Sequence, residues 1–260
     1  MFTSGLCSIT FRKLAPQEIV GLVSRAGLDG IEWGGDVHVP HGDLVRAREV
    51  RQLTQDAGLR VCSYGSYYRA GHEEPVPFPA VLETAAALGA PNIRVWAGKK
   101  GSADADRSYW SHVCEESRRI AGLAQAAGIT VSCEFHGHTL TDSLASTVRL
   151  LLETLHSNFF TYWQPEVEAG PEARLAGLRA LLPRLSNIHA FAWTAGDRLP
   201  LSQGTAEWRA YLDAAASTGR DHAVLLEFVL DDSPEAFMKD AATLKRWLKD
   251  MTTHQKGEAQ

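Results

Sequence analysis

The sequence predicts an α/β fold, a single-domain (β/α)8 TIM barrel, on three observations. Short apolar runs alternate with longer amphipathic stretches eight times without interruption, the pattern of a parallel sheet with helical crossovers. Glycine follows a helical stretch and precedes a strand at Ala26–Leu28, Ala57–Leu59, Leu88–Ala90 and Ala127–Ile129, where its tolerance of left-handed backbone ends a helix. The chain has 260 residues, and eight strand–helix units close into a barrel at about 250 residues. An open doubly wound sheet would carry a glycine-rich phosphate loop after its first strand, and none is present.

The elements follow in order. Strand Ser4–Thr10 leads into helix Pro16–Ala26, whose Ile19, Leu22 and Val23 share one face at helical spacing. Strand Gly30–Trp33 precedes helix Leu44–Ala57, and strand Arg60–Tyr64 precedes helix Val81–Leu88. Strand Asn92–Ala97 is followed by the long helix Asp106–Ala127, opened by an aspartate at the N-cap position. Strand Thr130–Phe135 pairs with helix Asp142–Leu155, and strand Phe159–Trp163 with helix Pro171–Leu182, which opens on proline. Strand Asn187–Trp193 leads to helix Ala206–Ser217. Strand Ala223–Val229 leads to helix Pro234–Met251, where Ser233-Pro234-Glu235 supplies cap, first-turn proline and first-turn acid. Residues 252–260 read as a polar, frayed C-terminal tail beyond the 1–251 catalytic barrel.

Composition narrows the function classes. Hydrophobic residues make up 45% and charged residues 22%, ordinary for a globular protein, and the net charge is −5. An acidic surface disfavours nucleic acid and anionic membranes as partners, and leaves a small molecule as the expected one and a homo-oligomer open. No apolar run approaches the roughly 20 residues of a membrane helix, and the N-terminus lacks a signal-peptide pattern. A cytoplasmic location is the expectation. Cys7, Cys62, Cys114 and Cys133 form no CxxC pair and read as buried reduced thiols.

In a barrel of this kind chemistry lies where strands run into the following loops. Strand two ends in IEWGGDVHVPHGD, with Glu32, Asp36, His38 and His41, and strand three in YGSYYRAG, with Tyr64. Strand four supplies Arg94 and Trp96, strand five Glu134, His136 and His138, and strand six Gln164. Strands seven and eight bring His189 and Glu227. Period-two alternation points Glu134 and His136 inward together, as it does Arg94 with Trp96 and Tyr162 with Gln164. Glutamate in an apolar strand costs several kcal/mol unless paired or metal-bound. Two carboxylates, an imidazole and an amide at one mouth make a ligand set for Mn²⁺, Mg²⁺, Co²⁺ or Zn²⁺. Plainer roles stand beside these: a Glu227–Arg94 ion pair, Glu32 as an ion-pair member inside the barrel, His189 as a satisfied core histidine. His72, His112, His156, His222 and His254 fall away from the strand ends and read as surface.

The segments IEWGGDVH, CEFH, IHAFAW and LLEF, in that order at strand ends, resemble the xylose isomerase-like barrel superfamily, the sugar phosphate isomerase/epimerase family. The resemblance covers nearly the whole chain. It implies one divalent metal held by Glu134, Gln164, His189 and Glu227. Gln164 departs from the aspartate common at that place, leaving two carboxylate charges instead of three and implying weaker metal retention. It implies proton abstraction next to a carbonyl through a metal-stabilised enediolate, with Glu134 and Glu227 as the catalytic pair. His38, Tyr64, Arg94, Trp96 and His136 are then the expected substrate-binding residues. The expected activity is that of a sugar epimerase or aldose–ketose isomerase on a non-phosphorylated substrate. The alternatives are a lyase or dehydratase using the same metal and base, and a metal-free binding barrel. An abasic-site endonuclease would need more His and Asp ligands than strands three, four and seven offer.

Overall fold

The computed structural model describes residues 1–257, and the side chains of 1–251. The apolar runs pair in chain order, each strand parallel to the next. β1 (Phe2–Cys7) lies beside β2 (Gly30–Gly34), then follow β3 (Arg60–Arg69), β4 (Asn92–Trp96), β5 (Thr130–Cys133), β6 (Phe159–Trp163) and β7 (Leu185–Ala190). The eighth barrel strand, β10 (His222–Leu226), pairs with both β7 and β1 and closes the ring. Between β7 and β10 the chain inserts a small antiparallel hairpin, β8 (Ala192–Trp193) and β9 (Arg198–Leu199). The predicted barrel is therefore the observed one.

Eight helices surround the ring: α1 (Pro16–Ala26), α2 (Leu44–Asp56), α3 (Phe78–Leu88), α4 (Arg107–Ala126), α5 (Leu144–Thr154), α6 (Pro171–Leu181), α7 (Thr205–Ala216) and α8 (Pro234–Gly257). Outward strand residues such as Ile31, Trp33, Ile93, Val95, Val131 and Ile188 pack with helix residues such as Ile19, Val50, Val81, Ile120, Leu178 and Leu244 in one buried cluster. Each such side chain contributes roughly 1.5–3 kcal/mol. The inward set is different, because it is largely polar. Asn92 donates to Ser63 and Tyr162 and accepts from Thr130 and Ser132, and Asn187 donates to the same Tyr162 hydroxyl. A polar interior is tolerable only when each group finds a partner, as these do.

Several boundaries differ from the sequence reading. β1 starts at Phe2 and ends at Cys7, and Ser8–Phe11 turns away as a 3-10 helix because Ser8 Oγ takes the Gly34 N–H. β3 runs on to Arg69, since an irregularity after Gly65 restores pairing at Arg69 with Trp96; Tyr67 within it has φ 57°. β5 and β10 stop one residue short of Glu134 and Glu227, which occupy the first position past each strand. Trp193, expected in strand seven, belongs to the hairpin. His222 is 2% exposed and no surface residue, its ring held between Thr218 and the Ser186 carbonyl. α8 runs to Gly257, so part of the segment expected as a tail continues a helix; 258–260 and the His254 side chain lie outside what is described.

Candidate metal centre and active site

The backbone ladder places both glutamates. Glu134 N–H donates to Val95 O at 2.9 Å, and Glu227 N–H donates to Ala190 O at 3.3 Å, so each continues its strand's pairing by one step. Thr141 Oγ1 caps the Glu134 carbonyl. Both side chains then turn inward beside His189, which is fully buried. His189 Nδ1 lies 3.0 Å from Gln164 Oε1, 3.4 Å from Glu134 Oε1 and 3.3 Å from Glu227 Oε2. Donor atoms about 2.0–2.2 Å from one cation lie roughly 3.0–3.5 Å from each other. His189 Nδ1 therefore lies at that spacing from one oxygen of each of the other three expected ligands; three oxygens and one nitrogen would suit Mn²⁺, Mg²⁺, Co²⁺ or Zn²⁺. Cys7 adds a thiol to the same neighbourhood: Cys7, His189 and Glu227 offer ligand atoms within 4.8 Å of one another.

Arg94 joins two carboxylates below this cluster. Its Nε donates to Glu32 Oε1 at 2.8 Å and its Nη1 to Glu134 Oε2. The expected Glu227–Arg94 alternative is thus replaced by a Glu32–Arg94–Glu134 bridge, and Glu32 is the ion-pair member inside the barrel. Trp96 Nε1 donates to the same Glu134 Oε2. Burial works to raise the Glu134 carboxyl, but Arg94 and His189 outweigh it and hold the group well below the carboxylate range. Glu32 is likewise raised by burial and lowered more by Arg94, His189 and Tyr162, to about 2. Burial opposes a charge on His189, yet Cys7, Glu227 and Glu134 around it carry its pKa well above the ordinary histidine value.

The rim is aromatic. His136 stacks over Trp96 at 4.6 Å, and Tyr67 meets Trp96 edge-on at 5.4 Å. His136 Nδ1 lies 2.7 Å from Gly137 O. A carbonyl only accepts, so in the neutral ring Nδ1 carries the hydrogen and Nε2 keeps its lone pair. Across the mouth, Trp193 Nε1 donates to Phe228 O, and Phe228 holds φ 50° directly after Glu227. His138 is exposed and has φ 59°.

Two expected substrate-binding residues lie elsewhere. His38 is 2% exposed, bound to Ser8 Oγ at 2.9 Å behind the end of β1. Tyr64 faces outward, its hydroxyl at 2.7 Å from both Val39 O and His41 Nδ1. Alternation explains the second: Ser63 and Gly65 point into the barrel, so Tyr64 cannot. Tyr67 takes the place at the rim, and only the left-handed backbone at that residue turns it inward; YGSYYRAG shows the aromatic run but not the turn. Cys7 was legible only as a buried thiol.

Residues 20–251 match the family model described as the xylose isomerase-like TIM barrel. The chain belongs to that family. Among relatives of this xylose isomerase-like barrel, a 3-dehydroshikimate dehydratase of Bacillus anthracis is 27% identical over 255 residues, covering 86% of this chain and 89% of the relative. The crystal structure of the probable 3-DHS dehydratase AsbF, involved in petrobactin synthesis in Bacillus anthracis, superposes with a TM-score of 0.76 at 22% identity, covering 94% and 99% of the two chains. D-Psicose 3-epimerase of Clostridium cellulolyticum H10 superposes at 0.68 with 14% identity, covering 95% and 98%. At these identities the superpositions show the shared fold alone. Among the described residues no helix is long and apolar enough to cross a membrane.

Proposed function

We propose that this barrel is a divalent-metal-dependent lyase that dehydrates a hydroxylated cyclic keto acid of the 3-dehydroshikimate type. The observation that carries the metal-dependent reading is the convergence of Glu134 Oε1, Gln164 Oε1 and Glu227 Oε2 on His189 Nδ1 within 3.4 Å. The relative at 27% identity over most of both chains supports dehydration over the epimerisation or isomerisation expected from sequence. Both reactions begin with loss of a proton next to a carbonyl, and they part at the next step.

A bound divalent ion supplies Lewis acidity toward the substrate carbonyl and so stabilises the enolate. The rest falls to side chains. Glu134 has one oxygen occupied by Arg94 and Trp96 and a carboxyl held low, which makes it a ligand and a poor base. Proton transfer therefore falls to the Glu227 carboxylate and the free His136 Nε2. One takes the α-proton; the electron pair left behind expels the β-hydroxyl, which leaves as water with a proton from the other. In a cyclohexenone carboxylate, loss of one water and enolisation of the ketone leave an aromatic ring, so the step is strongly downhill. Trp96, Tyr67 and Trp193 supply flat apolar surface for such a ring.

The test is substrate α-proton exchange in D₂O with Glu227→Gln, His136→Gln and Glu134→Gln. Loss of a general base costs about 10²–10⁴-fold. Exchange should fall by that factor in Glu227→Gln or His136→Gln while Mn²⁺ binding persists, whereas Glu134→Gln should weaken metal binding first. Wild-type exchange rates in both Glu227→Gln and His136→Gln would remove these residues from the proton transfer.

A further inference from the structure

We propose that Glu32, outside the four-residue ligand set, is the positioning residue that orients His189: its carboxylate faces the Nε2 edge of the ring and thereby commits Nδ1 to the cation. The inference rests on the metal reading above and adds a residue to it. The two edges of the His189 ring have different surroundings. Nδ1 faces three oxygens at 3.0–3.4 Å. Nε2 is buried, has no hydrogen-bond partner, and lies 3.7 Å from Glu32 Oε1. A neutral imidazole bound to a cation through one nitrogen carries its hydrogen on the other, and a buried N–H needs an acceptor. Glu32 Oε1 is that acceptor, in the arrangement by which carboxylates fix the tautomer and orientation of ligating histidines.

Glu32 is well held for the task. Arg94 Nε donates to its Oε1 at 2.8 Å and Tyr162 Oη to its Oε2 at 2.8 Å. The Tyr162 hydroxyl is itself fixed by Asn92 at 3.2 Å and Asn187 at 2.8 Å. The Tyr162 ring meets His189 edge-on at 5.0 Å, which resists rotation of the imidazole. The polar column inside the barrel, from the asparagines up to Glu32, is thus a support for the ligand histidine.

A rival arrangement exists beside it. Cys7 Sγ lies 3.7 Å from Glu32 Oε1, and with His189 and Glu227 it could hold a soft cation as a thiolate.

Titration of the whole protein with Co²⁺, followed by absorption and calorimetry, separates these. Wild type should bind Co²⁺ without the near-ultraviolet thiolate charge-transfer band, and Cys7→Ala should bind it with unchanged affinity. Glu32→Gln should bind it about 10–100-fold more weakly, the usual loss for a partner of a ligating group. Because Glu32→Gln also strips a charge partner from Arg94 and can fail to fold, the ¹⁵N spectrum of His189 in Zn²⁺-loaded wild type is the second measurement. It should show Nδ1 metal-bonded and Nε2 protonated. A thiolate band lost in Cys7→Ala, or Nε2 as the bonded nitrogen, would leave a metalloprotein and overturn the role of Glu32. Unchanged Co²⁺ affinity in folded Glu32→Gln would overturn it too. Absence of any Co²⁺ binding by wild type would instead remove the metal reading and the inference with it.

Discussion

At Gln164 the proposed ligand set carries one charge fewer than it would with a carboxylate; the amide oxygen lies 3.0 Å from His189 Nδ1. Gln164→Asp should therefore tighten Mn²⁺ binding, measured by calorimetry, since a third carboxylate adds charge roughly 2.0–2.6 Å from the ion. Binding no tighter than wild type would place Gln164 outside the ligand set. His189 gives a second expectation. Its pKa in the fold lies well above 6.5, so the proton it holds stabilises the metal-free fold fully below that ordinary value; this contribution is lost as pH rises through the folded value. A cation needs the same lone pair, so metal affinity should rise with pH over that range. Calorimetry in buffers of different ionisation enthalpy should find proton release accompanying metal binding. Zero release would mean that the ring is already neutral.

Among the elements, β3 carries a close approach beside the ion-pair bridge. Gly65 points inward, where an added Cβ would meet Arg94 Nη2 at 2.6 Å and Glu32 Oε1 at 3.0 Å. Gly65→Ala should disturb the Glu32–Arg94–Glu134 bridge and cost about 1–3 kcal/mol, a Tm loss of several degrees for a chain this size. Gly137→Ala, with nothing within 4 Å, should leave Tm nearly unchanged. Calorimetric melting of both variants checks this, and equal Tm values would contradict it. The same strand shows what the sequence could and could not tell. Period two pointed Glu134 with His136, Arg94 with Trp96 and Tyr162 with Gln164 the same way, because regular strands obey it. It also turns Tyr64 outward, between Ser63 and Gly65, and it failed at Tyr67, where an irregular register and a left-handed residue reset the alternation. His38, expected to bind substrate, lies elsewhere for another reason: the loop after β2 folds back under Ser8, a contact between residues 30 apart that local pattern does not encode. The Arg94 bridge was visible as unmatched charges in apolar strands, but not which carboxylates would pair.

Taken as a whole molecule, the barrel separates support from chemistry. Its outward strand faces and helices form the apolar core, its lower interior is a satisfied polar network, and its C-terminal mouth gathers Glu134, His189 and Glu227 under an aromatic rim. The family and the barrel were readable from alternation and strand-end residues; the reaction was not, because epimerisation and dehydration both begin with loss of a proton next to a carbonyl. What distinguishes them is whether an atom group leaves. The deciding measurement is the mass and ultraviolet spectrum of the product after incubation with 3-dehydroshikimate and Mn²⁺, Co²⁺ or Mg²⁺, beside a chelator-treated control. Loss of one water with appearance of aromatic absorbance, abolished by chelation, is the predicted result; an unreacted keto acid, alongside epimerisation of a ketose at unchanged mass, would contradict it.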